Sequence, residues 1–185
     1  PVVTTQPIGN SYCQNASPVT PLSVAASGGN GSGTYTYQWY SSSTNTNTGG
    51  SAISGATSAT YTPPVNVVGT IYYYCVITNG TTAQSCSVNS SNAAIVVTPA
   101  PSFTTQPTPS QLLCTGGTTT ALTVAAATGI GTPSYQWYSN TVNSTTGGTA
   151  ISGETTTTFT PPSNVTGTTY YYCVATITGG GCSTI

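Results

Sequence analysis

The chain has 185 residues, of which 36% are hydrophobic and 1% are charged; Glu154 is its one charged side chain and it has no His. Soluble domains average about 25% charged residues. Because phosphate binding needs Lys or Arg, and acid–base and metal sites need His or clustered carboxylates, this composition argues against a nucleic-acid-binding protein, an enzyme, a metal site and a cofactor site.

The sequence repeats itself at a spacing of about 98 residues. YQWYSSSTNTNTGG at 37–50 returns as YQWYSNTVNSTTGG at 135–148, and GTIYYYCV at 69–76 returns as GTTYYYCV at 167–174. A self-match of this length indicates a tandem repeat. We therefore predict two domains, 1–99 and 100–185. No apolar run approaches the ~20 residues of a membrane-spanning helix, so we expect no membrane insertion.

Taken in chain order, the first copy reads as short strands separated by Gly, Pro, Asn and Ser. LSVAA at 22–26 alternates, and YTYQWY at 35–40 places Tyr37 and Trp39 on one face. YYYC at 72–75 places Tyr73 with Cys75, and AAIVV at 93–97 is predicted as a final edge strand. Since no stretch has a helical period, the pattern predicts an all-β sandwich in each copy.

One spacing resembles that of a known fold. Trp39 is followed about 35 residues later by Tyr73-Tyr74-Cys75, and Trp137 by Tyr171-Tyr172-Cys173, which resembles the immunoglobulin-type sandwich. The whole unit is similar to the immunoglobulin-like repeats of very large Bacteroidota surface proteins, including gliding-motility adhesins of the SprB type. The resemblance implies two tandem immunoglobulin-like β-sandwiches. It also implies that Trp39 and Trp137 lie in the cores, with Tyr73 and Tyr171 as tyrosine corners whose hydroxyls bond the backbone.

Each copy contains three cysteines, which are Cys13, Cys75 and Cys86 in the first and Cys114, Cys173 and Cys182 in the second. Their matching positions predict an oxidising, extracellular compartment. Cys75 and Cys173 lie on the core strand beside the tryptophan and are predicted as buried thiols. In the immunoglobulin-type sandwich the other two regions run side by side, which implies the pairs Cys13–Cys86 and Cys114–Cys182. A Cys75–Cys86 bond across the hairpin is the alternative.

The second copy contains no counterpart of AAIVV before residue 185. We expect a sandwich without its final strand to expose an unpaired edge and an open groove. Either a continuing chain or a strand lent by a neighbouring subunit would fill it. Val2, Val3 and Thr4 are a candidate donor strand, because VVT at 2–4 matches VVT at 96–98. Head-to-tail donation would build an open filament.

Two sets of tyrosines are predicted to point outward from neighbouring strands, namely Tyr40, Tyr72 and Tyr74, and Tyr138, Tyr170 and Tyr172. Such a face suits contacts with subunits or glycans, and the alternative is cross-strand aromatic pairing that only stabilises the sheet. These observations predict a structural segment or subunit of an extracellular bacterial filament or adhesin stalk, whose partners are copies of itself or further repeats. The alternative is an extracellular carbohydrate-binding module that uses the tyrosine face.

Overall fold

The computed structural model describes residues 1–29, 34–80, 84–127, 132–177 and 182. These residues form β-strands and no helix, so the predicted all-β class is confirmed. The chain divides into two compact units, Pro1–Thr98 (unit 1) and Pro99–Ile185 (unit 2).

The described residues of unit 1 form ten strands. They are β1 (Val2–Thr5), β2 (Asn10–Cys13), β3 (Leu22–Ser23), β4 (Ala25–Ser27), β5 (Tyr35–Ser42), β6 (Ser51–Ala52), β7 (Thr60–Tyr61), β8 (Gly69–Gly80), β9 (Ser85–Asn89) and β10 (Ala93–Thr98). Six of them form one sheet in the order β2-β10-β8-β5-β6, with β9 also pairing with β8. The pairs β1-β4 and β3-β7 form two small sheets. Residues of these small sheets share one apolar core with the large sheet, which makes the unit sandwich-like.

The core of unit 1 forms around the pairing of β5 with β8, in which Trp39 lies opposite Cys75. Side chains alternate between the two faces of a strand, so the inward positions of the two strands meet in one layer. Trp39 is 0% exposed, and its indole Nε1 donates to the carbonyl oxygen of Ser58 at 2.9 Å. That bond satisfies the polar atom of a fully buried ring.

Unit 2 repeats this arrangement with seven strands among its described residues. They are β11 (Ser102–Thr105), β12 (Leu122–Thr123), β13 (Ala125–Ala127), β14 (Pro133–Asn140), β15 (Thr149–Ala150), β16 (Thr158–Phe159) and β17 (Tyr170–Ile177). The sheets are β15-β14-β17, β11-β13 and β12-β16. Trp137 lies opposite Cys173, is 0% exposed, and donates from Nε1 to the carbonyl oxygen of Thr156 at 2.9 Å. Each pairing in unit 2 therefore has a counterpart in unit 1.

The reverse does not hold, because the described residues of unit 2 contain no counterpart of β2, β9 or β10. In unit 1, β10 runs antiparallel to β8 and parallel to β2. The segment predicted as a final edge strand is therefore an internal strand of the sheet. Ala93, Ile95 and Val97 are all buried because these alternate side chains face the core.

Candidate functional site

A groove of about 500 Å³ opens in unit 2, between the segment 107–115 and the beginning of β17. Its apolar lining includes Leu112, Leu113, Leu122, Val165 and Tyr171. Leu112 is fully exposed and Leu113 is 42% exposed. Apolar side chains that remain in contact with water along a groove are typical of a binding surface.

In unit 1 the same place is filled by β10. The inward side chains of β10 alternate along the strand, with Ala93, Ile95 and Val97 buried in the core. Opposite them, Tyr73 is 4% exposed, whereas its counterpart Tyr171 in unit 2 is only half-buried. The groove of unit 2 therefore corresponds to the volume that one strand occupies in unit 1.

One wall of the groove is the backbone edge at 167–171. In unit 1 the matching residues, 69–73, pair with β10 from Ala93 opposite Tyr73 to Val97 opposite Gly69. In unit 2, β17 pairs with β14, and no second ladder partner of β17 lies among the described residues. An edge of this kind presents unpaired N–H and C=O groups to an added strand.

The opposite wall is the segment 110–114, whose counterpart in unit 1 is β2. Gly116 N donates to the carbonyl oxygen of Ser163 at 2.9 Å, as Asn15 N donates to that of Val65 at 2.8 Å. The same backbone bond therefore fixes this wall in both units, although among the described residues a strand lies between the walls only in unit 1. Tyr12 of β2 is 7% exposed, and Leu113 stands in its place with a larger exposure.

The electrostatics of the groove are simple, because every lining residue is uncharged. Hydroxyl and amide groups of Thr, Ser, Asn and Gln provide its polar contacts. No ionic contact would then favour a charged occupant, and burying an unpaired charge costs several kcal/mol. The geometry and the lining suit an extended, uncharged, apolar segment.

The tyrosines lie on the side of their strands away from the core, as alternation predicts, but they pair with one another rather than forming a free contact face. Tyr40 and Tyr74 stack at 5.2 Å between ring centroids, and the backbone N–H of Gly50 donates to the Tyr74 hydroxyl at 3.0 Å. Tyr138 and Tyr172 stack at 5.0 Å, with Gly148 donating to Tyr172 at 3.2 Å. Tyr74 is almost completely buried, and Tyr40 is half-buried. The rings pair across the strands, and the chain around Gly50 closes over Tyr74.

A glycine is needed at this closure. A Cβ on Gly50 would lie 2.7 Å from the carbonyl oxygen of Ser41 and 3.0 Å from the Tyr74 ring. A Cβ on Gly148 meets the equivalent atoms of Ser139 and Tyr172 at 2.7 and 2.8 Å. The second glycine of each GG pair therefore explains how a loop reaches a tyrosine on the outer face. Tyr72 and Tyr170 remain half-buried.

Tyr73 and Tyr171 contribute rings rather than hydrogen bonds. Tyr73 packs 5.6 Å from Tyr61, and Tyr171 packs 5.1 Å from Phe159. No hydrogen bond of the Tyr73 or Tyr171 hydroxyl joins residues that the structure describes, so the expected tyrosine-corner bond is absent there. Burial, with a smaller contribution from Tyr61, raises the pKa of Tyr73 to about 12. The ring fills the core and the hydroxyl stays neutral.

Cys13 and Cys182 are disulfide-bonded, whereas Cys75, Cys86, Cys114 and Cys173 are free thiols. The predicted bonds Cys13–Cys86 and Cys114–Cys182 are therefore not present, and neither is Cys75–Cys86. Cys114 is exposed in a turn, and Cys182 Sγ lies 3.8 Å from the carbonyl oxygen of Pro99. A disulfide is typical of proteins in oxidising compartments.

The length of β8 explains why Cys13 and Cys86 do not meet. Cys13 lies opposite Thr98, one residue beyond the Val97–Gly69 pair, whereas Cys86 lies opposite Asn79. The ten residues from Gly69 to Asn79 span roughly 33 Å at about 3.3 Å per residue. Cys75 is four residues from Asn79, or roughly 13 Å. Both separations exceed the ~7 Å limit between the Cα atoms of a disulfide.

Cys75 and Cys173 differ in their burial. Cys75 is fully buried because Ser90 covers it, donating from its backbone N to the Cys75 carbonyl and accepting from the Cys75 N–H on Oγ, both at 2.9 Å. Burial raises the pKa of Cys75 to about 11 and also raises that of Cys173. Cys173 is half-buried. A raised pKa keeps these thiols protonated near neutral pH, which does not suit a nucleophile.

Val2, Val3 and Thr4 lie in β1, which pairs antiparallel with β4 of the same unit. This ladder would have to open before these residues joined another subunit. Among the described residues, no group of three or more Cys, His, Asp or Glu side chains lies close enough to hold a metal ion. The described part also contains no helix long and apolar enough to cross a membrane.

Leu112 and Leu113 carry no motif that marks them as site residues in the sequence. Their signal lies in the comparison of NSYC at 10–13 with QLLC at 111–114, where an apolar pair precedes the second cysteine. Comparing the two copies residue by residue would have marked this segment, because matched positions of a repeat share one environment.

Comparison with curated proteins found no match to the chain. One family model matches twice, over residues 4–99 and 104–185, in close agreement with the two units of the structure. The two matches together cover nearly all of the chain, and the chain therefore belongs to the family described as Domain of unknown function (DUF8696).

Proposed function

We propose that this chain is a structural segment of an extracellular bacterial filament or adhesin stalk, built of tandem immunoglobulin-like β-sandwiches. One observation supports this best: the same sandwich-like unit is built twice in succession, with Trp39 opposite Cys75 and Trp137 opposite Cys173. Modules repeated along a chain extend it without requiring a new fold for each step. The partners of such a segment are copies of itself or further repeats.

The surface chemistry suits this role. With one charged side chain in 185 residues, the chain offers almost nothing on which salt or moderate changes of pH act. The disulfide-bonded Cys13 and Cys182 support an extracellular location, since disulfides persist in oxidising environments. A neutral, hydroxyl-rich surface of this kind would keep the stability of a stalk nearly constant when the salt concentration or pH outside the cell changes.

The proposal is tested by locating the chain on the cells that make it. Antibodies raised against the purified chain, coupled to gold and applied to intact cells, are expected to label fibres outside the envelope in electron micrographs. Antibody absorbed beforehand with the purified chain is the control and should label nothing. Labelling that appears only after the cells are permeabilised would contradict the proposal.

A further inference from the structure

We propose that Asn79 and Gly80 form a self-modification site, which converts Asn79 to aspartate or isoaspartate once unit 1 has opened and which the closed fold protects. The two residues are the last of β8. Glycine has no side chain to hinder its own amide nitrogen, so this nitrogen reaches the side chain of a preceding Asn readily. The inference does not depend on the proposed function, because the reaction needs only the chain and water.

The reaction is a deamidation through a cyclic imide. The backbone nitrogen of Gly80 attacks Cγ of Asn79, a new C–N bond forms, the attacking nitrogen loses its proton, and Nδ2 leaves as ammonia. Water then adds to one of the two carbonyl carbons of the imide and opens the ring. Opening on one side gives aspartate. Opening on the other gives isoaspartate, in which the main chain runs through the side-chain carbon.

The fold opposes this attack by holding Asn79 on all sides. Its side chain is 1% exposed, and Nδ2 donates to the carbonyl oxygen of Thr34 at 2.9 Å. Asn79 also lies opposite Tyr35 on β5 and opposite Cys86 on β9, so its extended backbone is paired along both edges. Closing the imide requires Asn79 to leave this conformation and Nδ2 to leave Thr34. Deamidation therefore waits until this end of β8 opens.

The products do not fit the place that Asn79 occupies. An aspartate has no N–H to donate to Thr34, and it would place a carboxylate against that carbonyl oxygen at a buried site. The chain passes close by, because a Cβ on Gly29 would contact the side-chain oxygen of Asn79. Isoaspartate lengthens the main chain and shifts the register of β8 against both neighbouring strands. Either product therefore prevents this end of unit 1 from closing again.

Unit 2 provides an internal control. Ile177 takes the place of Asn79 in β17 and is 3% exposed, so the position accepts a side chain that cannot deamidate. The sequence of residues 99–185 contains no Asn-Gly dipeptide. Unit 1 contains a second one, Asn30-Gly31, which lies outside the described residues. Only unit 1 is therefore expected to lose its ability to refold after a period in the unfolded state.

The test incubates the whole chain at about pH 8, in buffer and in urea that unfolds it, and maps deamidation by mass in peptic peptides. Deamidation at Asn79 should be at least about tenfold faster in urea than in the folded chain. Peptide mapping separates the products at Asn79 from those at Asn30. In urea at about pH 5 the reaction should nearly stop, because the attacking nitrogen must lose its proton.

Hydrogen exchange after removal of the urea shows whether the modified chains close again. Unmodified peptides from 69–80 should regain protection, whereas the same peptides modified at Asn79 should exchange at least about tenfold faster. Peptides from 170–177 in unit 2 should regain protection in both populations. Equal protection of modified and unmodified peptides, or equal rates of deamidation at Asn79 in urea and in buffer, would overturn the inference.

Three variants separate this reaction from general damage. Asn79→Asp introduces one product directly, and protection at 69–80 should be lost from the start. Asn66→Asp is its matched control, because Asn66 is exposed in the same unit and is not followed by glycine, and it should keep that protection. Asn79→Ile copies unit 2 and should refold equally after short and long incubation in urea. Full protection in Asn79→Asp, or a decline in Asn79→Ile as steep as that of the natural chain, would also contradict the proposal.

Discussion

Units 1 and 2 have the same buried tryptophan, the same tyrosine stack and the same pairing of the two central strands, yet the described residues of unit 2 lack counterparts of β2, β9 and β10. β8 of unit 1 is paired along both edges, and Tyr73, Tyr74 and Cys75 are all buried. The matching Tyr171, Tyr172 and Cys173 of β17 are half-buried. The comparison shows that the additional strands of unit 1, together with Ser90, complete the burial of a core that the shared strands only begin.

The same comparison shows why β10 has this effect. Its side chains alternate, so the inward set fills the core while its backbone joins β8 to β2. In unit 1, Ser90 also covers Cys75, and Asn47 donates to the Ser90 carbonyl oxygen at 3.0 Å. The pairing of β10 along β8, together with the bonds of Ser90 to Cys75, therefore stabilises β8.

The largest effect is expected from Ile95→Asp, which places an unpaired carboxylate at a site that is 1% exposed. The free energy of unfolding of unit 1 should fall by about 4 kcal/mol or more, because a buried charge without a partner is strongly unfavourable. Urea unfolding, monitored by hydrogen exchange in each unit, would measure this loss of free energy. The control Val67→Asp, at an exposed site, should cost less than about 0.5 kcal/mol.

The two tryptophans should respond alike. Trp39→Phe and Trp137→Phe each leave a cavity and remove a 2.9 Å hydrogen bond to a carbonyl oxygen, that of Ser58 or Thr156. Each should cost its own unit about 3 kcal/mol. Thermal unfolding of the two variants would compare them. A cost in unit 1 more than twice that in unit 2 would show that β10 also determines the packing at the tryptophan.

Gly9→Ala tests the close approach of the chain to β10. A Cβ on Gly9 would contact the carbonyl oxygen of Ala94 and lie 2.8 Å from its amide nitrogen. Because these are backbone atoms, β10 must shift, and unit 1 should lose about 2 kcal/mol. Urea midpoints would report the loss. Ser110→Ala is the control, since Ser110 precedes Cys114 as Gly9 precedes Cys13, and it should change stability by less than about 0.5 kcal/mol.

A smaller effect is expected from pH. Burial raises the pKa of Cys75 to about 11 and that of Tyr73 to about 12, so folding favours their protonated forms. Their contribution to stability is fully present below about pH 9 and is lost as pH rises to about 12. The free energy of unfolding of unit 1 should therefore be nearly constant between about pH 5 and 8 and should fall above that range.

Urea titrations at a series of pH values would measure this dependence. Cys75→Ala should remove the part of the decline between about pH 9 and 11 and leave the part due to Tyr73. A stability that rises above about pH 9, or that changes strongly between about pH 5 and 8, would contradict the assignment.

Sequence reasoning predicted the all-β class because the period of two is local and visible in strands such as YTYQWY. It did not predict the cysteine partners, because these depend on where each cysteine falls along β8. Cys86 lies opposite Asn79 and Cys13 lies near Gly69, and these two positions are ten residues apart on β8. The full length of β8 was not visible in the sequence. Register over long distances follows from the assembled sheet rather than from any one segment.

The paired tyrosines show a second limit of prediction from local sequence patterns. Alternation correctly places Tyr40 opposite Tyr74 on neighbouring strands, but it does not report that Gly50 brings a loop over them. The groove was anticipated from the missing strand, whereas Leu112 and Leu113 were not, because their role depends on the wall that faces them. Local patterns predict strands, and the covering of those strands depends on distant residues.

The central claim is that β10 covers in unit 1 a backbone edge whose counterpart in unit 2 has no second ladder partner among the described residues. Residue-resolved hydrogen exchange of the chain alone tests it most directly, by comparing alternate amides at 69–73 with those at 167–171. The account predicts slow exchange in the first set and fast exchange in the second. Equal protection of the two sets would contradict it.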